Sequence, residues 1–190
     1  LQMGEINIKM LSDLDGNKVK FLDSKFKANG ETWVIDNGSE VNYGRDFLVV
    51  KDFTANCKNQ SLFVDGRRES DSIDFFNVKL SDFDIAQLNI ILGEIGLNTN
   101  GKANGQLILH NRDNTMYCTA NMSIDKWNLN GRYMGDAKVR TGWRADKKRL
   151  GIQLVSTIDE DSTKHIPIDM RGFYYPEEDG KIEFTANFDG

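Results

Sequence analysis

Proline is nearly absent from this sequence, with two residues among 190, whereas glycine occurs 17 times. Average usage is about 5% proline and about 7% glycine, so glycine and asparagine are expected to form the turns. No run of about 18 apolar residues exists, which excludes a membrane-spanning helix. The first residues, Leu1-Gln2-Met3-Gly4, lack the charged and apolar regions of a signal peptide. We expect a single β segment, residues 1–190, excised from a longer protein whose targeting signals lie elsewhere.

Cysteine and histidine are equally scarce, with two of each. Cys57 and Cys118 lie on the apolar side of alternating runs, which favours two small buried side chains; one disulfide is the alternative. His110 and His165 occupy polar positions far apart in the sequence and are expected at the surface. The sequence shows no cluster of His, Cys, Asp or Glu suited to a metal, so neither a metal site nor a cofactor is predicted.

Motifs that carry catalysis are missing as well. The sequence has no serine-hydrolase elbow, no phosphate-binding loop and no zinc-protease helix, and no enzyme activity is predicted. Asp71, Asp74, Asp82 and Asp84 lack EF-hand spacing and are interpreted as a solvated polar face with a helix cap. The net charge of −5 is a mixture of both signs without a basic stripe, which disfavours nucleic acid as a partner.

Alternation of apolar and polar residues dominates the chain and predicts β-strands. The longest clean run extends from Met116 to Ile124. Turn signals predict short connections between the runs: Asp15-Gly16, Asn29-Gly30, Asn37-Gly38, Asp65-Gly66 and Asn130-Gly131. Residues 67–72 are predicted to form a polar loop. We expect roughly thirteen to fifteen strands in an all-β, antiparallel arrangement.

One segment departs from this alternation. Asp84 is predicted as a helix N-cap with Gln87 at the third helical position, and Gly96 is predicted as the C-terminal glycine. Four apolar residues share one face at helical spacing: Leu88, Ile91, Leu92 and Ile95. The sequence therefore predicts one short amphipathic helix near residues 84–96.

The repeated apolar face is the remaining candidate for function. A closed sandwich would fill such a face with its own side chains, whereas an open sheet would leave it for an apolar ligand. Methionines such as Met10 and Met170 suit an adaptable lining, and an ordinary packed core is the alternative. We predict that an open groove is lined by Ile6, Ile8, Met10, Phe53, Ala55, Leu107, Leu109, Met116, Met122, Ile124, Val139, Ile152, Leu154, Ile182 and Phe184.

Three passages resemble a known family. Asn130-Gly131-Arg132-Tyr133-Met134-Gly135-Asp136, followed by Trp143 and Leu150-Gly151-Ile152-Gln153-Leu154, resembles the "N-G-x-x-x-G-D … W … alternating apolar strand" passage of TamB proteins, the AsmA-like translocation and assembly module family of didermal bacteria. Residues 78–105 are similar to the family's strand, short helix and "G-x-x-N-G" strand start. Residues 168–176 resemble its "G-x-Y-x-P" hairpin. The likeness covers most of the chain from about residue 40 onward, and the composition resembles that of Bacteroidetes members.

This resemblance implies a many-stranded sheet curled into an open groove (a β-taco), with an apolar inside and a polar outside. It implies a periplasmic, cell-envelope location, with the parent protein anchored in the inner membrane outside this fragment. The implied roles are phospholipid transport between membranes, outer-membrane protein assembly with a TamA-like barrel partner, or both. The family has no catalytic residues to carry over.

Two other classes of function remain open from the sequence. A carbohydrate-binding or adhesin module would stack sugars on Trp33, Trp127 and Trp143, two or more of them exposed together. A closed structural β-domain would pack two sheets about 10 Å apart without a cavity.

Overall fold

The computed structural model describes residues 2–12, 14, 16–69, 72–112, 115–144, 147–160, 163–175, 178 and 181–188. Strands account for most of these residues. Their bounds are β1 Gln2–Glu5, β2 Ile8–Ser12, β3 Asn17–Phe21, β4 Ser24–Ala28, β5 Glu31–Ile35, β6 Glu40–Tyr43, β7 Phe47–Cys57, β8 Gln60–Glu69, β9 Ser72–Asp84, β10 Thr99–Arg112, β11 Thr115–Leu129, β12 Arg132–Arg144, β13 Arg149–Glu160, β14 Thr163–His165, β15 Ile168–Tyr175 and β16 Lys181–Phe188.

Hydrogen bonding joins these strands in the order β1-β4-β5-β7-β8-β9-β10-β11-β12-β13-β15-β16. Beside this path, β7 also pairs with β6, β6 with β3, β3 with β2, and β13 with β14. Strands β1 and β16 are the two ends of the order, and no pairing between the described residues joins them. The prediction of an all-β, many-stranded antiparallel sheet that does not close is therefore confirmed.

The chain divides into two compact units. Unit 1 comprises Leu1–Asp82 and Ile108–Met116, and unit 2 comprises Phe83–Leu107 and Tyr117–Gly190. In unit 1 the core lies at one end of β5 and β7, where Trp33, Ile35, Ala55 and Cys57 are buried. Phe26, which is opposite Trp33 in the register, stacks on its ring at 6.2 Å.

Two predicted asparagine–glycine turns form the hairpins expected of them. Asn29 and Gly30 have φ of 48° and 78° between β4 and β5, and Asn130 and Gly131 have φ of 50° and 80° between β11 and β12. Positive φ at both central residues is the type I′ geometry that matches strand twist. Asp15 of the Asp15-Gly16 signal lies outside the described residues.

The turn predicted at Asp65-Gly66 is wrong, and so is the loop predicted at 67–72 for residues 67–69 and 72; residues 70 and 71 lie outside the described part of the chain. Strand β8 continues from Gln60 to Glu69, and β9 resumes at Ser72. Gly66 is opposite Phe76 in the register, and a Cβ at Gly66 would lie 2.4 Å from the Phe76 ring. The glycine therefore makes room for a neighbouring ring within a strand, a packing role that the sequence does not distinguish from a turn.

The predicted helix is a short segment of mixed type. It consists of 3₁₀ turns at Ile85–Leu88 and Gly93–Ile95 with one α-helical turn, Asn89–Leu92, between them. The Asp84 cap is confirmed, since its carboxylate accepts a hydrogen bond from the Ala86 N–H, and Gly96 is left-handed with φ 75°. Ile85 is buried, whereas Leu88, predicted on the apolar face, is 41% exposed. The 3₁₀ geometry has three residues per turn, so a face deduced from 3.6 residues per turn is displaced.

The core of unit 2 draws on the helical segment and on strands β9 to β13 and β15. Its buried apolar side chains are Phe83, Ile85, Ala103, Ala120, Trp127, Met134, Ala137, Leu150 and Ile168. Gly135 has φ 78°, and a Cβ there would lie 2.0 Å from the Thr157 carbonyl oxygen. The neighbouring Asp136 carboxylate accepts a hydrogen bond from the Lys126 N–H at 2.8 Å. The motif "N-G-x-x-x-G-D" is thus a hairpin turn followed by a close strand contact.

Candidate functional site

Unit 2 carries an apolar face that extends over five strands. Registered partners in an antiparallel sheet lie on the same face, so each row of partners can be followed from β11 or β12 to β16. One row consists of Met122, Val139, Leu154, Met170 and Ala186, and the next of Thr141, Ile152, Gly172 and Phe184. A third row consists of Trp143, Leu150, Tyr174 and Ile182. We call these rows, with Ile124, Ala137, Ile168 and Phe188, the apolar face of unit 2.

The side chains of this face become more exposed toward the last strand, β16. Ala137, Leu150 and Ile168 are buried, and Met122, Val139, Leu154 and Ile152 are half-buried. On β16 the exposed fractions rise to 58% for Ile182, 65% for Phe184 and 71% for Phe188. Single exposed apolar side chains are ordinary, but a contiguous exposed set marks a binding surface or an interface.

The opposite face of the same strands is polar. Its residues include Lys138, Arg140 and Arg144 on β12, Gln153 and Thr157 on β13, and Lys181, Glu183, Thr185 and Asn187 on β16. Period-two alternation therefore gives these strands one apolar face and one polar face. The residues of the apolar face as defined above include no carboxylate, amine, guanidinium, imidazole or thiol.

Unit 1 has an apolar face of its own. Phe53 is in register with Val64 and Val78, and Ala55 with Leu62 and Leu80. Val19, Val41 and Val50 form a further row, and Phe21 meets Phe53 edge-on at 5.5 Å. Ala55 is buried and Phe53 is half-buried, so this face is partly covered by its own side chains.

The predicted lining residues divide between the two units. Ile6, Ile8, Met10, Phe53, Ala55, Leu109 and Met116 belong to unit 1, and Leu107, Met122, Ile124, Val139, Ile152, Leu154, Ile182 and Phe184 belong to unit 2. Ile6 lies in the break between β1 and β2 rather than in a strand, and Ile8 and Met10 are exposed. The side chain of Met116 lies outside the described residues.

Several residues of these faces were missing from the prediction. Phe188 belongs to the apolar face of unit 2, and Leu62, Val64 and Val78 belong to that of unit 1. Met170, which was predicted to suit the lining, also lies on the face of unit 2. For Phe188 and Val78 the signal was available, because each alternates with polar neighbours along the chain, whereas Leu62 and Val64 flank the apolar Phe63. Register, which places these residues beside the predicted ones, comes only from strand pairing.

Two of the three tryptophans are buried. Trp33 lies in the core of unit 1, and Trp127 in unit 2 donates its indole N–H to the Thr99 hydroxyl at 2.9 Å. Trp143 is half-buried and packs against the Tyr117 ring at 4.7 Å. Because Trp33 and Trp127 serve as core residues, they do not form the exposed stacking platform that a sugar site needs.

Both cysteines are free thiols. Cys57 is buried and lies beside the Glu31 carboxylate, which also accepts hydrogen bonds from Lys58 Nζ at 2.7 Å and Gln60 Nε2 at 2.9 Å. The Lys58 ammonium, followed by the Cys57 thiol, holds the pKa of Glu31 below its ordinary value. Among the described residues no three His, Cys, Asp or Glu side chains gather into a metal-binding group. Asp71 lies outside those residues.

The described part of the chain contains no helix of sufficient length and apolar character to cross a membrane. Comparisons with protein-family models, with curated proteins and with solved structures gave no match to this chain.

Proposed function

We propose that this chain is a segment of a lipid-binding β-groove in the cell envelope, similar in role to TamB proteins. In this role the apolar face of unit 2 holds phospholipid acyl chains. The observation that carries the proposal is the incomplete cover of that face, which ends on the exposed Ile182, Phe184 and Phe188. Periplasmic location and a TamA-like barrel partner are part of the same proposal and rest on the motif resemblance.

The dimensions of the face suit an acyl chain. A row from β11 to β16 crosses four strand spacings of about 4.8 Å, or about 19 Å. One acyl chain fills half of a hydrocarbon core about 30 Å thick, or about 15 Å, so a single row can accompany its whole length. Each methylene that leaves water contributes about 0.8 kcal/mol, and this gain needs no specific hydrogen bond. A repeated apolar row can therefore bind lipid without a catalytic or polar site.

Photocrosslinking tests this proposal with a matched pair of positions. A photoreactive residue at Leu154 lies on the apolar face, whereas one at Thr157, further along β13, lies on the polar face. We expect phospholipid adducts at position 154, in cells and with purified chain added to vesicles, and far fewer at position 157. Equal labelling at both positions, or none at 154 while an established lipid carrier is labelled, would contradict the proposal.

The same experiment separates the lipid-binding role from a closed structural domain. A structural domain covers its apolar face with protein, so position 154 would give crosslinks within the protein and no lipid adduct. Position 124, which lies opposite Ala137 on the same face, provides a second site. Lipid adducts at both positions 124 and 154 would show that the face binds lipid across several strands, whereas adducts at one of them would restrict binding to that position.

A further inference from the structure

The polar face of unit 2 concentrates arginines that are separated in the sequence. Arg140, Gln153, Arg171 and Thr185 form one row across β12, β13, β15 and β16. Arg144, Arg149, Tyr175 and Lys181 form another, in which Arg144 is directly opposite Arg149. Between these rows runs a third, which consists of Gly142, Gly151, Phe173 and Glu183. Two lines of cations therefore border a row that has no side chain on β12 and β13.

This row contains a shallow depression with a volume of about 370 Å³. Gly142 and Gly151 lie in its floor, and its border includes Arg140, Arg144, Arg171 and Phe173. The Phe173 ring closes one side, since a Cβ at Gly151 would lie 3.8 Å from it. The arginine side chains can extend over this space from either end.

Two of the bordering arginines are held in place. The Arg149 guanidinium lies over the Phe173 ring at 3.4 Å, and its Nη1 donates to the Tyr175 hydroxyl at 2.9 Å. Arg171 donates two hydrogen bonds, each 2.9 Å long, to the Asp169 carboxylate. Stacking and bidentate pairing orient a guanidinium and reduce the entropy lost when it binds a ligand.

The charge balance at this place is opposite to that of the whole chain. Arg140, Arg144, Arg149, Arg171 and Lys181 contribute five positive charges against the two negative charges of Asp169 and Glu183, although the chain carries a net charge of −5. Like charges directly opposite in a sheet, such as Arg144 and Arg149, are destabilising. A bound anion would relieve this repulsion.

We propose that this depression, the arginine strip, binds a phosphate group. Phosphate offers several acceptor oxygens and up to two negative charges, so it can be shared by guanidinium groups from both rows. The glycine floor allows it to approach the backbone. The strip lies on the face opposite the apolar rows, so it is independent of the lipid-binding proposal and extends beyond it.

Calorimetric titration of the purified chain with pyrophosphate, at low and at physiological salt, tests the arginine strip. We expect saturable binding that weakens with salt and falls about tenfold or more in an R140Q/R144Q double variant. The matched control is Lys138→Gln, which removes one positive charge from the same face of β12 outside the strip and should change binding little. A second variant, Gly142→Val, fills the depression without changing charge, at a position with no atom within 4 Å and no positive φ; it should also abolish binding while the chain stays folded.

Vesicle flotation then distinguishes the source of the phosphate. Vesicles of phosphatidylglycerol mixed with phosphatidylcholine are compared with phosphatidylcholine alone. Pyrophosphate binding without flotation identifies a free phosphate compound, and flotation that R140Q/R144Q and Gly142→Val remove identifies a lipid headgroup. Both outcomes support phosphate binding at the arginine strip. The proposal is overturned if neither assay shows binding, or if Lys138→Gln loses as much binding as R140Q/R144Q. None of these results changes the crosslinking outcome at position 154.

Discussion

Trp127 and Thr99 form a buried hydrogen bond in unit 2, in which the indole Nε1–H donates to the threonine Oγ1 at 2.9 Å. The same hydroxyl lies 3.2 Å from the Asn128 carbonyl oxygen, to which it donates. Asn89 fixes the threonine backbone on its other side, with hydrogen bonds of 2.9 Å to the Thr99 N–H and carbonyl. This pair therefore joins the helical segment, β10 and β11 in one core.

Thr99→Val should destabilise the chain by roughly 1–3 kcal/mol, because it leaves the buried indole donor without a partner at nearly unchanged volume. Urea denaturation measures the effect. Trp127→Phe removes the donor itself, so the Thr99→Val/Trp127→Phe double variant should lose less stability than the sum of the losses in the two single variants. Strict additivity would show that the hydrogen bond does not couple these residues.

Gly135→Ala should be strongly destabilising. The new Cβ would fall 2.0 Å from the Thr157 carbonyl oxygen in a left-handed backbone, and together these effects should cost about 2 kcal/mol or more. Gly142→Ala in the same strand is the control, since open space surrounds it, and its unfolding midpoint should stay close to that of the parent. Equal shifts of the unfolding midpoint in the two variants would contradict the close backbone contact assigned to Gly135.

Stability should fall in acid through Glu31. Its pKa is lowered in the folded chain, chiefly by Lys58, so the stabilisation from the ionised carboxylate is complete above its ordinary pKa of 4.5. This stabilisation is lost as the pH drops through the lower folded-state pKa. Unfolding midpoints measured across this range should show less pH dependence in Glu31→Gln and in Lys58→Met. If both variants lose stability in acid as the parent chain does, the ionised Glu31 is not the cause of that loss.

Phe184→Arg should weaken binding of a fluorescent phospholipid analogue by about tenfold or more, because it replaces a phenyl contact of about 1.5–3 kcal/mol with a hydrated charge. Since Phe184 is 65% exposed, folding should be little affected. Asn187→Arg, on the polar face opposite Asp169, adds the same charge to the same strand and should leave binding intact. Similar losses in the two variants would indicate a nonspecific effect of charge.

Local patterns predicted much of the fold. Alternation identified the strand that contains Met116 to Ile124, and the Asn29-Gly30 and Asn130-Gly131 turns were recognised because positive φ is a local requirement. Asp84 was recognised as a cap for the same reason, since its hydrogen bond reaches only to Ala86. Features that depend on nearby residues were accessible without the tertiary structure.

Features that depend on distant partners were not. Gly66 was interpreted as a turn because its role comes from Phe76, ten residues further along the chain. Ile6 was assigned to a strand, although the neighbouring Asn7 N–H bonds to the Ser24 hydroxyl and interrupts the pairing. The arginine strip was missed because it combines three strands, although Lys138, Arg140 and Arg144 already alternate in the sequence.

The sequence by itself determined that this protein consists of antiparallel strands with one apolar and one polar side, because the side-chain period of a strand is two. It also determined the type I′ turns. Only the tertiary structure decided how far each apolar side chain is covered, from the buried Ala137 to the exposed Phe184, and which arginines share a face. The physical reason is that alternation specifies the face of a residue, whereas register and position within the sheet specify its neighbours.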